Sequence, residues 1–291
     1  MNNRFVQPYF VFRPRTFLSS LAKKFQKRPD EAWVTLPWGD TLRVNPHEAG
    51  GHRLYMHGIH DLVVTEVIFR VVVAGDAVLD VGANLGAITS AMAHCVGTAG
   101  KVYSFEAHPT VFKRLERNVK SMRNHRAVTL INKAVSVANG SLKFVEASEF
   151  EINQGTSHVL RPDEQEYAAI YDVPCCALDD VIQDEHIKLC KIDVERHEEE
   201  VLKGAQRLLK KGQIETLVFE DWNRQTNLQN YLRDFGYVVF KLDYDLFGLR
   251  LTDPRGTPHS ESSMDIADFC ATKSERVVER LRQRGWLSLK S

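Results

Sequence analysis

The sequence predicts an α/β domain built on a doubly wound, mostly parallel sheet. From residue 77 onward, short and almost entirely apolar runs alternate with segments whose apolar residues recur at helical spacing. Fully apolar runs are typical of strands that helices cover on both faces. A length of 291 residues with 43% hydrophobic and 26% charged residues is that of a globular protein with a sizeable core.

The strands are predicted where the apolar runs lie. These runs are at residues 77–81, 101–105, 127–132, 187–192, 216–219, 237–242 and 268–272. Helices are predicted between them where apolar residues recur at intervals of three and four, as at residues 85–95, 112–122 and 201–209.

Other elements precede this pattern. Residues 33–44 predict a hairpin whose turn is Pro37-Trp38-Gly39-Asp40. The apolar spacing from Val64 onward predicts a helix that ends at Gly75. We therefore expect an N-terminal extension over 1–50, a main domain over 51–273 and a C-terminal helical tail over 274–291.

The N-terminal residues are basic and partly apolar. Residues 1–31 contain seven Lys or Arg against Asp30 and Glu31, interleaved with Phe and Leu. A helix there would have an apolar stripe and a basic face. Two interpretations stay open: peripheral membrane contact through residues 1–28, or a helix docked on the domain with its basic side in water.

The charge and the cysteines restrict the class of protein. The formal net charge of +0 argues against a nucleic-acid partner, because phosphate binding needs a basic excess. Five cysteines without a CxxC pair indicate a reducing compartment. No apolar run has the length of a transmembrane segment or a signal peptide. We expect a cytoplasmic protein.

A glycine-rich turn follows the first strand of the sheet. Asp80 is the second-last residue of that strand, and Gly82-Ala83-Asn84-Leu85-Gly86 follows the strand. The spacing lacks the third glycine of dinucleotide-binding proteins, and Asp80 suits a cationic or zwitterionic ligand such as a sulfonium with an amino-acid tail. Glu106 closes the next strand, where a carboxylate can accept both ribose hydroxyls. Together these residues predict a nucleoside ligand.

These residues resemble the FkbM family of S-adenosylmethionine-dependent methyltransferases. The matching segments are residues 78–86, 132–136, 178–180, 191–195 and 201–205, and the resemblance covers about residues 50–273. The family pattern usually has glycine after Asp-Val-Glu and then a second Glu. Here Arg196 and His197 stand at that point, and Glu198 follows.

The resemblance implies a seven-stranded class I methyltransferase sheet whose final strand, residues 268–272, is antiparallel. It implies S-adenosylmethionine as cofactor and methylation of a hydroxyl on a sugar, glycan or natural-product acceptor. By similarity, the methionine part lies at the glycine-rich turn, the ribose at Glu106 and the adenine near Ala107. The cofactor-binding residues so implied are Asp80, Gly82, Ala83, Asn84, Gly86, Glu106, Ala107, Lys133 and Ala134.

The candidate catalytic residues are carboxylates that follow two strands. A hydroxyl nucleophile must lose its proton, so a general base is needed. Asp193 and Glu195 follow the strand at 187–192, and Glu220 follows the strand at 216–219. Side-chain alternation would point Asp193 and Glu195 the same way if the strand continued through them. Their oxygens would also suit magnesium or calcium, but we do not predict a metal.

Two histidine positions leave alternatives open. His197 is either a general base or an exposed residue in the first turn of a helix. The group His52, His57, His60 and Asp61 is either a metal site or, as we expect, a loop that leads to a helix capped near Asp61.

The acceptor is not identified by the sequence. Its selectivity is assigned to the N-terminal segment and to residues 146–172 and 244–265, which are predicted as loops. Aromatic residues available there or close by for stacking are Phe150, Tyr167, Tyr171, Trp222, Tyr244 and Phe247. The alternatives to O-methylation are a non-catalytic scaffold that binds the cofactor, or N-methylation of nucleic acid or protein. Against the latter, no Pro-Pro-Tyr motif follows the fourth strand.

Overall fold

The computed structural model of the chain describes residues 7–146, 157–160, 167–221, 228–254 and 268–290. Phe150 and Trp222 lie outside the described residues. The helices are α1 (Pro8–Val11), α2 (Pro14–Lys24), α3 (Ala49–His57), α4 (Leu62–Val71), α5 (Ala87–Val96), α6 (Pro109–Lys120), α7 (Leu178–Val181), α8 (Glu198–Lys203), α9 (Gln206–Lys210), α10 (Leu228–Asp234) and α11 (Glu275–Leu281). The strands are β1 (Ala32–Thr35), β2 (Thr41–Val44), β3 (Ala77–Val81), β4 (Lys101–Phe105), β5 (Val128–Ile131), β6 (Ala134–Val135), β7 (Gly140–Glu146), β8 (His158–Val159), β9 (Ala169–Cys176), β10 (Ile187–Ile192), β11 (Ile214–Glu220), β12 (Val238–Asp245), β13 (Gly248–Thr252) and β14 (Asp268–Thr272).

The central sheet confirms the predicted fold class. Its strand order is β13-β12-β14-β11-β10-β3-β4-β5. The strands from β11 to β5 in this order are parallel, and β14 is antiparallel to both of its neighbours, as predicted for residues 268–272. Of the seven predicted strands, β3, β4, β10 and β14 have the predicted bounds, because each is a short, mostly apolar run next to a turn or loop.

An eighth strand extends the sheet beyond the predicted seven. Strand β13 pairs with β12 in a tight hairpin, with Asp245 opposite Gly248. The loop predicted over residues 244–265 is therefore wrong at residues 244–245, which end β12, and at residues 248–252, which form β13. The backbone of Gly248 has φ of +138°, a conformation that favours glycine and lets the chain reverse there.

A second, four-stranded sheet lies where the sequence predicts a loop. Its order is β6-β9-β7-β8, so the loop predicted over residues 146–172 is wrong for the described parts of β7, β8 and β9. The β7–β9 ladder runs from the Gly140–Cys175 pair to the Glu146–Ala169 pair. These strands bury only a few side chains, among them Phe144 and Val173, so their apolar signal in the sequence is weak.

The helix predicted over residues 201–209 is two helices, α8 and α9. The break is at Gly204, where a Cβ atom would lie 2.0 Å from the carbonyl oxygen of Ser136. The segment after β6 thus contacts Gly204 closely, and the spacing of apolar residues along the helix does not predict this contact.

The N-terminal region contains the predicted hairpin and helix. Strands β1 and β2 pair from Ala32–Val44 to Thr35–Thr41, and the helix from residue 62 is present but ends at Val71, before Gly75. His52 and His57 lie in α3, so the predicted loop is wrong at these positions. Among the described residues, no helix has the length and the apolar composition that crossing a bilayer requires.

The hairpin and the C-terminal segment pack into the core of the sheet. Leu42 of the hairpin and Trp286 are fully buried and belong to one hydrophobic cluster with Val78 of β3 and Val102 of β4. The division of the chain at residues 50 and 273 stays a prediction.

A buried ion pair joins α4 to the C-terminal segment. The side chains of Glu66 and Arg70 are at most 1% exposed, and Arg70 Nε donates to Glu66 Oε1 at 2.7 Å. Glu66 also accepts from the backbone N–H of Leu287 and of Ser288, each at 2.9 Å. The guanidinium of Arg70 donates to the carbonyl oxygens of Arg280, Gln283 and Gly285. The buried charges are therefore fully paired.

Replacing Glu66 should destabilise the protein strongly. Glu66→Gln leaves the Arg70 charge buried without its counter-charge, and we expect the free energy of unfolding to fall by about 3 kcal/mol. Urea denaturation measures this change. The control is Glu279→Gln on α11, which removes an exposed carboxylate and should change stability by less than about 0.5 kcal/mol. An equal, small effect of both variants would contradict the structural role of the pair.

Candidate active site

A cavity of about 270 Å³ opens at the carboxyl ends of the parallel strands β3, β4, β10 and β11. Ligands bind at this edge in open α/β sheets, because the strand ends and the following loops leave a crevice there. Nearly all of the predicted site residues line it: Gly82, Ala83, Asn84, Glu106, Ala107, Lys133, Ala134, Asp193, Glu195 and Glu220. Asp80 and Gly86 do not line the cavity.

The glycine-rich turn after β3 has a geometry that requires Gly82. Its φ is +81°, and a Cβ atom there would lie 1.9 Å from the carbonyl oxygen of Asp193. The N–H groups of Gly82 and Ala83 both donate to the carbonyl of Phe105, at 3.0 and 2.9 Å. The turn is therefore held between the ends of β4 and β10, with its backbone along the cavity wall.

Glu106 is held at the end of β4 by two backbone groups. Its Oε2 accepts from the N–H of Asn84 at 2.9 Å, and its Oε1 accepts from the N–H of His108 at 2.8 Å. Burial raises the pKa of Glu106 to about 7, although both hydrogen bonds favour the ionised form. Because each carboxylate oxygen can accept a second hydrogen bond, Glu106 keeps capacity for a ligand in the cavity.

Asp80 lies behind the cavity, fully buried, and acts on it through Lys191. One carboxylate oxygen of Asp80 accepts from Thr89 Oγ1 at 2.6 Å, and the other lies 3.6 Å from Lys191 Nζ. Lys191 Nζ donates to the carbonyl of Gly82 at 2.8 Å and lies 3.2 Å from Asp193 Oδ2. Burial alone would lower the pKa of Lys191, but Asp193 and Asp80 raise it above its ordinary value. The ammonium group therefore stays charged and joins the ends of β3 and β10.

One end of the cavity is mainly apolar. Val81, Phe105, Ala134, Phe144 and Val159 contribute to its wall. Ala134, Phe144 and Val159 come from the small sheet, which the sequence did not predict. Ala107 and Lys133 also line the cavity.

The small sheet is fixed to the cavity by His108. Its Nδ1 accepts from the N–H groups of Thr110 and Val111 at the start of α6. The other ring nitrogen therefore carries the proton and donates to Glu146 Oε1 at 2.7 Å, which also accepts from the hydroxyl of Tyr171. Tyr171, predicted as a stacking residue for the acceptor, has this hydrogen-bonding role.

The other end of the cavity is acidic. Asp193, Glu195 and Glu220 line it, together with Asp61 and Asp268. Burial, with Asp193 and Glu198 nearby, raises the pKa of Glu195 to about 8. Burial, with Asp193 and Glu195 nearby, raises the pKa of Glu220 to about 8. The sequence-predicted candidate bases thus meet in one cavity, beside the glycine-rich turn.

Asp268 adds a carboxylate that the sequence analysis did not select. It is the direct cross-strand partner of Glu220 in the β11–β14 pair. Like charges in opposite positions repel, and burial, Asp61 and Glu220 raise the pKa of Asp268 well above its ordinary value. A carboxylate at the start of the antiparallel strand was the available signal.

The segment after β10 differs from the prediction. The strand ends at Ile192, and Glu195 and Arg196 have φ of +53° and +72°. Strand alternation therefore does not explain why Asp193 and Glu195 share the cavity; a tight turn does. Glu198 Oε1 accepts from the N–H of Val194 and of Arg196, each at 3.3 Å, and so closes that turn. The positive φ at Arg196 explains why glycine is usual there in the pattern described above.

His197 is not an exposed helix residue. Its side chain is 14% exposed and lines the cavity, and its Nε2 lies 3.0 Å from Ser136 Oγ. Burial lowers the pKa of His197, with Glu200 opposing, so the ring stays neutral near pH 7. The first-turn interpretation is wrong because the chain after β6 covers this ring. A role as base stays a hypothesis.

His60 and Asp61 line the cavity and were not selected from the sequence as site residues. Asp61 caps α4, as predicted, by accepting from the N–H of Val64 at 2.9 Å. Burial lowers the pKa of His60, with Asp61 opposing. Arg53 of α3 also lines the cavity. These residues precede the sheet in sequence, so only the docking of α3 and α4 brings them here.

In the described part of the chain, no three His, Cys, Asp or Glu side chains converge as a metal site.

The mostly parallel sheet and the cleft at its carboxyl edge define a Rossmann-like α/β domain. The family model described as "Methyltransferase FkbM domain" matches residues 80–239, more than half of the 291 residues. The chain belongs to the FkbM methyltransferase family, which confirms the resemblance inferred from the sequence.

The solved structures to which the chain is similar are distant from it in sequence. The FkbM methyltransferase from Methylobacillus flagellatus KT is 14% identical with a TM-score of 0.45, and the match covers 68% of this chain and 43% of that chain. This chain thus spans less than half the length of that protein. The S-adenosylmethionine-dependent O-methyltransferase from Thermotoga maritima is 13% identical (TM-score 0.40, covering 87% and 96%). Fibrillarin from Aeropyrum pernix, in complex with natively bound S-adenosyl-L-methionine, is 15% identical (TM-score 0.40, covering 85% of each chain). No curated protein sequence matches this chain.

The acidic end of the cavity should make stability depend on pH. The pKa of Glu195 is about 8 in the folded chain against an ordinary 4.5. Between these pH values the folded chain holds a proton that the unfolded chain has released. The contribution of Glu195 is therefore present at low pH and lost as the pH rises through about 8.

Replacing the Glu195 carboxylate should remove this loss of stability at high pH. We expect Glu195→Gln to melt roughly 2–6 °C above the unsubstituted protein at pH 9, with a smaller difference at pH 5. Thermal melts across this pH range measure it. Glu199→Gln, on an exposed carboxylate of α8, is the control and should leave the pH profile unchanged. A Glu195→Gln profile parallel to that of the unsubstituted protein would contradict the raised pKa.

Proposed function

We propose that the protein is an S-adenosylmethionine-dependent O-methyltransferase that acts on a hydroxyl group of a sugar, glycan or natural-product acceptor. The observation that carries the proposal is one cavity that combines the glycine-rich turn and Glu106 with the carboxylates Asp193, Glu195 and Glu220. The first part suits a nucleoside cofactor, and the second suits removal of a proton from an alcohol.

The residues of the cavity fit S-adenosylmethionine. Asn84 Oδ1 is buried, and the structure gives it no hydrogen-bond partner among the described residues. It lies beside Glu106, whose oxygens have spare capacity for ribose hydroxyls. Ala107, Lys133 and Ala134 suit the adenine, and Asp193 suits the positive charge of the methionine part. When bound, the cofactor would supply an electrophilic methyl group.

The chain's own contribution is to align the acceptor and take its proton. Orientation of two reacting groups gives effective molarities on the order of 10⁵ M or more. Glu195 and Glu220 have pKa values raised towards neutrality, which suits a general base near pH 7. Lys191 holds the Asp193 carboxylate in place at 3.2 Å. The bound cation would itself favour ionisation of these groups.

The acidic lining supports a small neutral or cationic acceptor over nucleic acid. Seven carboxylates of the described residues line this cavity: Glu48, Asp61, Glu106, Asp193, Glu195, Glu220 and Asp268. When ionised they repel phosphate groups, and the net charge of +0 supplies no compensating basic excess. The alternative is a non-catalytic protein that binds the cofactor, and turnover distinguishes the two.

The cofactor half of the proposal is tested by calorimetry with S-adenosylhomocysteine. We expect binding in the micromolar range, and at least about tenfold weaker binding by Glu106→Gln, since hydrogen bonds to a charged group are lost. The control is Glu185→Gln, which removes a carboxylate bound to Lys101 and Tyr103, away from the cavity. Absence of binding by the unsubstituted protein would exclude the proposal.

The catalytic half is tested by methyl transfer to a panel of sugars and natural-product alcohols. Asp193→Asn, Glu195→Gln and Glu220→Gln are compared singly, with cofactor binding measured in parallel. We expect at least one variant to lose about 100-fold or more in kcat, because a general base contributes that much. Normal turnover in all three variants would remove them from the mechanism. Cofactor binding without transfer to any acceptor would favour the scaffold.

A further inference from the structure

The N-terminal helix α2 has its polar contacts on the side that packs against the protein. Ser20 is buried, and its hydroxyl donates to the carbonyl of Met56 on α3. Lys23 Nζ donates to the carbonyl of Tyr55 at 2.6 Å and lies 4.3 Å from the centroid of the Tyr55 ring. Phe10 and Phe17 are half-buried and contact each other, and Phe10 packs towards His57 of α3, but docking does not bury the other apolar residues of this segment.

The other apolar residues of α2 and its C-terminal cap form a stripe that faces outward. Leu18, Leu21 and Phe25 are 63%, 43% and 85% exposed. Their spacings of three and four residues place them on one face of the helix and its C-terminal cap. Val11 and Phe12, just before α2, are exposed as well. A helix that only docks on its own domain would bury these side chains.

Basic residues flank this stripe. At about 3.6 residues per turn, Arg15 and Lys24 fall on opposite sides of it, and Lys27 and Arg28 follow the helix. All four are exposed, and residues 7–29 contain no Asp or Glu. We call Leu18, Leu21, Phe25 and these four basic residues the N-terminal surface.

We propose that the N-terminal surface docks the protein on an anionic lipid bilayer. An exposed apolar stripe between basic residues is the pattern of helices that lie in the membrane interface. Lys and Arg there extend their charged groups to lipid headgroups while their stems cover apolar surface. Positive charge on both flanks, without one acidic group, complements a uniformly anionic surface. A membrane would also lie within one helix of the cleft, because α3 contacts α2 through Tyr55 and Met56 and lines the cavity with Arg53.

Vesicle flotation with the full chain tests this proposal. We expect binding to phosphatidylcholine vesicles that contain about one third phosphatidylglycerol, at least about tenfold weaker binding to phosphatidylcholine alone, and weakening by salt. The double variants Leu18→Ser/Phe25→Ser and Arg15→Gln/Lys24→Gln should each lose at least about tenfold in partitioning, because each removes two interfacial groups. All four substituted side chains are exposed, so the fold should be retained, which a thermal melt checks.

Matched controls remove equivalent groups elsewhere. Val137→Ser removes an exposed apolar residue, and Lys113→Gln/Lys120→Gln removes two exposed charges from α6. Both should bind like the unsubstituted chain. No binding to anionic vesicles, or binding that both N-terminal variants retain, would overturn the proposal. Sedimentation equilibrium adds a further outcome: a dimer that Leu18→Ser/Phe25→Ser disrupts, without vesicle binding, would assign the surface to a second copy and overturn it too.

Discussion

The cleft depends on the buried ammonium group of Lys191. It lies between Asp80 and Asp193 and donates to the carbonyl of Gly82, so it joins the ends of the adjacent strands β3 and β10. A charge buried in this way is stable only because two carboxylates surround it. The same contact fixes the glycine-rich turn on one side and the first acidic residue on the other. The glycine-rich turn and the first carboxylate after β10 are thus positioned relative to each other by one side chain.

The second feature on which the cleft depends is the group of carboxylates near Lys191. Asp193 is paired with Lys191, whereas burial raises the pKa of Glu195, Glu220 and Asp268 above ordinary values, and neighbouring carboxylates, Asp193 among them, add to each shift. A cluster of this kind costs stability in the empty protein and is typical of functional sites. The tight turn at Glu195, with its positive φ, is a second local cost at the same place.

The sequence predicted the parts of this arrangement that are local along the chain. Strand β3, the turn at Gly82 and the position of Glu106 follow from short-range patterns, as do the carboxylates after β10 and β11. It did not predict the small sheet, whose strands bury few side chains and have little apolar signal. Nor did it predict His60 or Asp268 in the cavity, because docking between segments distant in sequence brings them there.

The most direct test of the cleft is the crystal structure of the protein with S-adenosylhomocysteine. The ligand should lie in the cavity beside the turn at Gly82, with its ribose hydroxyls on Glu106 and its sulfur facing the end that holds Asp193, Glu195 and Glu220. A ligand bound elsewhere, or bound with its ribose away from Glu106, would contradict the assignment of both ends of the cavity.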